Sequence, residues 1–241
     1  ALKGRARLHL TEVDQGIDLL IEGKLAEGLA IAEGITAFCG THGIARLAVD
    51  DGIGPETRWE PEAVTITLGG VAVPFPSGSF LQATREGEAS LVAAVREAIG
   101  AVRVSADLFA GLGTLALSLP GKVYAAEAGR DAIFALKAGA AQAGRAVFAE
   151  HRDLFRRPLT SAECDRFEAI VLDPPRAGAR EQVTQLAASK VPVIAYVSCN
   201  PSSFARDAEI LCKGGYTLDW VQPIGQFRWS THAELAARFS R

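Results

Sequence analysis

Several features that would classify a protein at once are missing from this 241-residue chain. It has no methionine, not even at position 1, and we therefore expect it to be the C-terminal part of a longer protein. No apolar run approaches the ~18 residues of a membrane span, and no signal-peptide pattern opens the chain, so we expect no membrane partner. The net charge of −3 argues against binding of nucleic acid over the whole surface.

Cysteine is also scarce, and no C-x-x-C pair occurs. The four cysteines are Cys39, Cys164, Cys199 and Cys212. This spacing predicts neither a disulfide framework nor a metal site, and it favours a reducing, cytoplasmic location. Cys212 falls at a core-like position of a predicted helix, so we expect it to contribute packing rather than chemistry.

Residues 1–76 predict a small α+β domain without βαβ repeats. Short or alternating apolar runs indicate strands, and apolar residues at helical spacing indicate one helix. The strands are expected at 5–10, 16–21, 44–49 and 64–68, the last two antiparallel, and the helix at 24–38. No residue of this domain points to a particular chemistry.

Residues 77–241 follow a different pattern, in which strands alternate with helices. Strands are expected at 102–109, 122–127, before Asp153, at 167–173, at 191–199, at 216–221 and at 232–239. Helices are expected at 86–99, from Leu115 onward, at 130–143, at 180–189 and at 203–213. The alternation predicts an α/β fold with a mostly parallel, doubly wound sheet that closes with an antiparallel strand.

The turn after the strand at 102–109 suggests a cofactor site. Asp107, Gly111 and Gly113 lie between a strand and a helix, and Glu127 ends the next strand, where such an acid binds ribose hydroxyls. The third glycine of a dinucleotide motif is absent, which favours a nucleoside-type cofactor such as S-adenosylmethionine. A tight turn with a surface Glu is the alternative. Asp153 is either an adenine contact or a helix N-cap.

Two further strand ends suggest the substrate site. Asp173 is followed by Pro174-Pro175, which stiffen the turn, and Arg176 replaces the aromatic residue that enzymes methylating exocyclic amines carry there. Cys199 ends a buried strand and is either a nucleophile or a small buried hydrophobe. A thiolate that adds to C6 of uracil makes C5 nucleophilic, and a base must later remove the C5 proton. We choose Glu234 as that base; a solvated edge-strand carboxylate is the alternative.

Eight segments, in order, carry a resemblance to a known family. They are FLQAT (80–84), DLFAGLGT (107–114), YAAE (124–127), LDPPRAG (172–178), VSCNP (197–201), FARD (204–207), GGY (214–216) and HAE (232–234). From about Phe80 onward the chain resembles the S-adenosylmethionine-dependent RNA uracil-5-methyltransferases, which implies a Rossmann-like methyltransferase domain over 77–241. The family often has Asn at the positions of Thr84 and Thr114, which affects details of cofactor contact.

The resemblance implies a role for each matching position. Cys199 corresponds to the nucleophile and Glu234 to the general base. The implied cofactor-binding residues are Gln82, Phe109, Gly111, Glu127, Asp153 and Asp173, with Asp153 beside the adenine. Asp173 is also expected to orient the uracil. No metal site is implied, because Cys39 alone cannot hold the iron–sulfur cluster found in some members.

The expected function is therefore methylation of C5 of a uridine in RNA, with 23S rRNA favoured over tRNA. We expect a monomer whose residues 1–76 contact RNA. One alternative is an RNA cytosine-5-methyltransferase, but such enzymes carry a second cysteine where this chain has Pro174-Pro175-Arg176. The other is an RNA-binding scaffold that holds S-adenosylmethionine without turnover, and intact Cys199 and Glu234 argue against it.

Overall fold

The computed structural model describes residues 2–226, 229–230 and 233–241. The chain forms two compact units. One comprises the chain up to Thr67 together with Val71–Ser79, and the other comprises Leu68–Gly70 together with Phe80–Arg241. The boundary between residues 76 and 77 stays a prediction. Among the described residues, no helix has the length and apolar character needed to cross a membrane.

The first unit is built around a four-stranded sheet and one helix. Its elements are β1 (Leu2–Val13), β2 (Gly16–Leu25), α1 (Leu29–His42), β3 (Ile44–Asp50), β4 (Glu56–Trp59), β5 (Thr65–Leu68) and β6 (Val71–Pro74). The sheet order is β1-β2-β3-β4, and β5 and β6 form a separate two-stranded sheet. Cys39 of α1 packs with Ile21, Leu47 and other apolar residues of the sheet.

Two predictions for this unit were wrong. β2, α1 and β3 form a βαβ crossover with β2 and β3 parallel, whereas no such unit was expected. α1 returns the chain across the sheet, so β3 runs in the direction of β2, and the antiparallel pairing predicted for 44–49 is present on one side only, with β4. The helix begins at Leu29 rather than at residue 24, because Lys24 and Leu25 still pair with β1.

The second unit contains a seven-stranded sheet with helices on both faces. Its elements are α2 (Arg85–Ile99), β7 (Val104–Leu108), β8 (Lys122–Glu127), α3 (Arg130–Gln142), β9 (Val147–His151), α4 (Ser161–Cys164), β10 (Ala169–Leu172), α5 (Arg180–Ala187), β11 (Val193–Ser198), α6 (Pro201–Lys213), β12 (Thr217–Ile224) and β13 (Glu234–Ser240). The sheet order is β12-β13-β11-β10-β7-β8-β9. Five neighbouring strands are parallel, namely β11, β10, β7, β8 and β9. β13 is antiparallel to both of its neighbours, β11 and β12.

This topology confirms the predicted α/β fold with its antiparallel last strand. Residues of α4, α5 and α6 join the sheet in one buried cluster that includes Tyr196 and Phe239. α2 packs against β11 and β13, and α3 packs against β8 and β9. The helix expected from Leu115 is absent: residues 114–118 form a single turn, which ends before Pro120 and Gly121. The predicted start of the last strand at His232 lies outside the described residues.

Candidate active site

The candidate site lies at the carboxyl ends of four neighbouring parallel strands. Leu172 of β10 pairs with Leu108 of β7 on one side and with Tyr196 of β11 on the other. The residues beyond these pairs therefore emerge at one edge of the sheet, where α/β proteins bind ligands. Asp173 and Cys199 follow β10 and β11, so the structure brings them to this edge as expected.

The glycine turn after β7 has a left-handed backbone. Phe109 has φ 68°, and Gly111 and Gly113 have φ 54° and 95°. A positive φ is unusual for Phe and is retained only where the surroundings hold it. Here the N–H groups of Phe109 and Ala110 both donate to the carbonyl of Ala126, at 2.9 and 3.0 Å. The turn is thus bonded to the end of β8.

Glu127 makes the second connection between this turn and β8. Its Oε2 accepts from the N–H of Gly111 at 3.0 Å, and its Oε1 accepts from the N–H of Gly129 at 2.6 Å. A Cβ placed on Gly111 would meet no atom within 4 Å, so there is open space beside the turn. A fixed carboxylate next to open space fits the predicted ribose contact.

Asp107, at the end of β7, was quoted only as part of a motif. Its carboxylate is fully buried; Oδ2 accepts from the N–H of Ala116 at 2.8 Å, and Oδ1 has no partner in the described part of the chain. Burial, followed by the charges of Asp173 and Glu127, raises the pKa of Asp107 to about 8. A buried polar atom without a partner is costly, so a ligand group that bonded this oxygen would remove that cost.

Asp173, Cys199 and Glu234 interact electrostatically. Burial and the neighbouring Glu234 raise the pKa of Asp173 to about 7. Burial, followed by the charge of Glu234, raises the pKa of the Cys199 thiol above its ordinary value; Arg176 opposes this shift and Asp173 adds to it. Ser198 pairs with Leu235, so the next residues outward, Cys199 and Glu234, lie at the same end of the strand pair. The thiol and both carboxylates therefore share one site.

Gln82 and Asp153 each form hydrogen bonds with other groups of the chain. Gln82 Oε1 accepts from Nε2 of the buried Gln226 at 2.8 Å, and Gln226 Oε1 accepts from the N–H of Ala83 at 3.0 Å. Asp153 Oδ1 caps a turn by accepting from the N–H groups of Phe155 and residue 156. This turn places the ring of Phe155 beside that of Phe109, with 5.5 Å between the two ring centroids. The adenine contact of Asp153 stays a prediction.

Sequence reasoning missed three of the residues that support the site and misplaced one cysteine. Gln226, Asn200 and Asp207 had no assigned role, although the last two lie in quoted motifs. Cys212 is exposed, which corrects its predicted core position. Cys164 is buried before β10, at the opposite end of that strand from Asp173. The described residues contain no group of three or more His, Cys, Asp or Glu suited to a metal ion.

Comparisons with known proteins point to one family. Residues 131–240 match the model of the tRNA (uracil-5-)-methyltransferase family. The whole chain aligns with an uncharacterized RNA methyltransferase of Zymomonas mobilis at 54% identity, covering 61% of that protein. Over 56% of the chain, it is 34% identical to the 23S rRNA (uracil(1939)-C(5))-methyltransferase RlmD of Haemophilus influenzae, covering 32% of that protein.

A solved structure shares the fold. The tRNA (uracil-54, C5)-methyltransferase of Pyrococcus abyssi, in complex with S-adenosyl-L-homocysteine, superposes with a TM-score of 0.79 at 22% identity. The superposition covers 98% of this chain and 60% of that one. The chain spans about 60% of the length of the curated relatives that match it along its whole length.

Proposed function

We propose, on the match of residues 131–240 to the model of the tRNA (uracil-5-)-methyltransferase family, that the protein methylates C5 of a uridine in RNA. The observation that carries the proposal is the meeting of one thiol and two carboxylates at the carboxyl edge of the sheet. The charge of Glu234 raises the pKa of both Asp173 and Cys199 there. Such a group of side chains suits a reaction in which a nucleophile and a base both act on the same ring of the substrate.

The cofactor in this proposal is S-adenosylmethionine. Glu127 would accept from the ribose hydroxyls, Gly111 would allow close approach, and Phe109 would offer its ring. Gln82, Asp153 and Asp173 complete the proposed set. Two observations support this fit: the buried Oδ1 of Asp107 has no partner among the described residues, and there is open space beside Gly111. When bound, the cofactor supplies an electrophilic methyl group.

The proposed reaction begins at Cys199. Its thiol must first lose a proton, because the thiolate is the nucleophile. The sulfur then forms a bond to C6 of uracil, and the C5–C6 π electrons move onto C5 and the oxygen of the C4 carbonyl. C5 would then form a bond to the methyl group as the bond between that group and the cofactor's sulfur breaks, with S-adenosylhomocysteine as the leaving group. After transfer, Glu234 removes the C5 proton, the C5–C6 double bond re-forms, and the thiolate leaves.

Asp173 is proposed to orient the uracil. Burial and the charge of Glu234 raise the pKa of Asp173 to about 7, so the protonated carboxyl is populated near neutral pH. A protonated carboxyl donates a hydrogen bond, which would stabilise negative charge as it develops on a uracil carbonyl oxygen. This role requires the protonated form, and the raised pKa of Asp173 makes it accessible.

The RNA itself is the least constrained part of the proposal. We favour 23S rRNA over tRNA, because the rRNA-modifying relative is 34% identical over 140 residues. A uridine must leave the base stack to reach a thiol in a pocket, which favours loop nucleotides. A monomer, a cytoplasmic location and RNA contact by residues 1–76 remain predictions.

A methyl-transfer assay with matched cysteine variants tests the proposal. The longest available form of the protein is incubated with labelled S-adenosylmethionine and rRNA or tRNA, and nucleosides are identified by mass spectrometry. Wild type and Cys212→Ser should produce 5-methyluridine, since Cys212 is exposed on α6. Cys199→Ser should bind the cofactor and produce none. Activity of Cys199→Ser, or 5-methylcytidine as the product, would contradict the proposal.

A further inference from the structure

The loop after β10 and the loop after β11 are joined by one amide side chain. Asn200 directly follows Cys199 and is the N-cap of α6, where its Oδ1 accepts from the N–H of Ser202 at 3.1 Å. Its Nδ2 donates to the carbonyl of Arg176 at 2.9 Å. The residue next to the proposed nucleophile therefore holds the backbone of the loop that begins at Asp173.

Two further residues of α6 hold the same loop. Asp207 is fully buried, and its Oδ2 accepts from the N–H of Ala179 and from the hydroxyl of Tyr196, both at 2.6 Å. Arg206 donates through Nη2 to the carbonyl of Ala177 at 2.8 Å and to Asp207 Oδ1 at 2.7 Å. Because Tyr196 is a residue of β11, its hydrogen bond to Asp207 also connects α6 to that strand.

The loop packs closely on these side chains. Gly178 has φ 81°, and a Cβ there would lie 2.5 Å from Arg206 Nη2 and 2.6 Å from Asp207 Oδ2. Glycine is therefore required at this position both for its backbone and for space. Polar backbone groups of residues 176, 177 and 179 are all bonded to α6, so little freedom remains in the second half of the loop.

We propose that Asn200, Arg206 and Asp207 form a positioning clamp, called here the α6 clamp, that fixes the Asp173–Ala179 loop relative to Cys199. The proposal rests on the proposed function. β11 stays paired with β13 as far as Ser198, but pairing between β10 and β11 ends at Leu172 and Tyr196, so it does not fix the loop after β10 relative to Cys199. The clamp supplies the missing constraint, and it holds Arg176, whose charge opposes that of the two carboxylates at the thiol.

The clamp predicts a catalytic effect that is separable from stability. Displacement of reacting groups by about 1 Å can cost about 100-fold in rate. Loss of the Asn200–Arg176 bond should therefore slow methyl transfer while leaving the cofactor site on β7 and β8 intact. A purely structural role would instead lower the melting temperature in proportion to the loss of activity.

Asn200→Asp and Asn200→Ser isolate this bond. Asp and Ser cap helices about as well as Asn, so α6 keeps its N-cap and the melting temperature should change by no more than about 2 °C. Asp has no donor for the Arg176 carbonyl, and Ser is too short to reach it. The matched control is Ser203→Ala, which removes a hydroxyl whose one hydrogen-bond partner among the described residues is the carbonyl of Asn200, at 3.1 Å.

The measurement is the rate of 5-methyluridine formation by wild type and by each variant. Both Asn200 variants should show kcat lowered about 10- to 100-fold, with KM for RNA changed less than about threefold and cofactor affinity unchanged. Ser203→Ala should behave as wild type. If only Asn200→Asp is slow and its pH profile moves to higher pH, the added charge explains the effect and the clamp is refuted.

The two proposals fail in different ways. If the wild-type protein forms no 5-methyluridine on any RNA offered, the proposed function is wrong. If wild type forms it and both Asn200 variants remain within about twofold in kcat, the clamp is wrong while the proposed function stands.

Discussion

Replacement of Asp173 by Asn should stabilise the protein at pH 8 more than at pH 5. Burial and Glu234 raise the pKa of Asp173 from 3.8 to about 7. In the unfolded chain this carboxyl loses its proton near pH 4, whereas in the folded chain it keeps the proton until about pH 7. Folding therefore becomes less favourable as the pH rises between these values, and Asn removes this dependence.

The size of the effect follows from the pH interval. Between pH 5 and pH 7 the folded state holds up to one more proton than the unfolded state, which lowers the free energy of unfolding by about 1.4 kcal/mol per pH unit. The upper limit is about 3 kcal/mol, and partial access to solvent reduces our expectation to about 2 kcal/mol. For a unit of this size that corresponds to roughly 4–8 °C in melting temperature.

Thermal unfolding of wild type and Asp173→Asn at both pH values is the assay. The gain in melting temperature on substitution should be larger at pH 8 than at pH 5 by roughly 4–8 °C. Asp131→Asn is the control, because Asp131 is exposed on α3 and its replacement should act equally at both pH values. An equal gain at both pH values, or a loss at pH 8, would contradict a raised pKa of Asp173 in the folded protein. Asp173→Asn should also abolish methyl transfer.

Three further predictions use other residues. Gly113→Ala should lower the free energy of unfolding by about 3 kcal/mol, because the φ of Gly113 is 95° and a Cβ there would lie 2.3 Å from a leucine methyl group. In the same denaturation experiment Gly144→Ala, where φ is 62° and there is open space for the Cβ, should lower it by about 1 kcal/mol. Iodoacetamide should alkylate Cys199 faster in Glu234→Gln than in wild type at pH 8, because loss of that charge lowers the pKa of the thiol; an equal rate, measured by peptide mass spectrometry, would contradict an electrostatic effect of Glu234 on Cys199. Cys212→Ala should keep full activity and cost less than about 0.5 kcal/mol, since Cys212 is exposed; a larger loss in chemical denaturation would contradict the exposed position.

The strands and their ends were largely predictable from the sequence. β8 matches its predicted bounds at Lys122–Glu127, and β11 ends at Ser198, one residue before the predicted end. Apolar β-branched runs bounded by Gly, Pro or a carboxylate define such strands well, because burial on both faces requires them. Parallel pairing then places the residues that follow the strands at one edge.

The supporting contacts could not be predicted. The bond between Ala179 and Asp207 joins residues 28 positions apart, and no local periodicity signals it. Gln226 reaches back 144 residues to Gln82. The helix expected from Leu115 failed for a similar reason. Its apolar residues are buried as a helical core face would be, but Pro120 and Gly121 limit the segment to one turn.

The most direct test of the account is a search for the covalent intermediate. RNA that contains 5-fluorouridine is incubated with S-adenosylmethionine and the longest available form of the protein. Fluorine at C5 cannot be removed as a proton, so the adduct should persist through denaturing electrophoresis. The proposed mechanism predicts one adduct, located by peptide mass spectrometry on Cys199 and carrying the transferred methyl group. An adduct on another residue, or none from a preparation that methylates ordinary RNA, would contradict it.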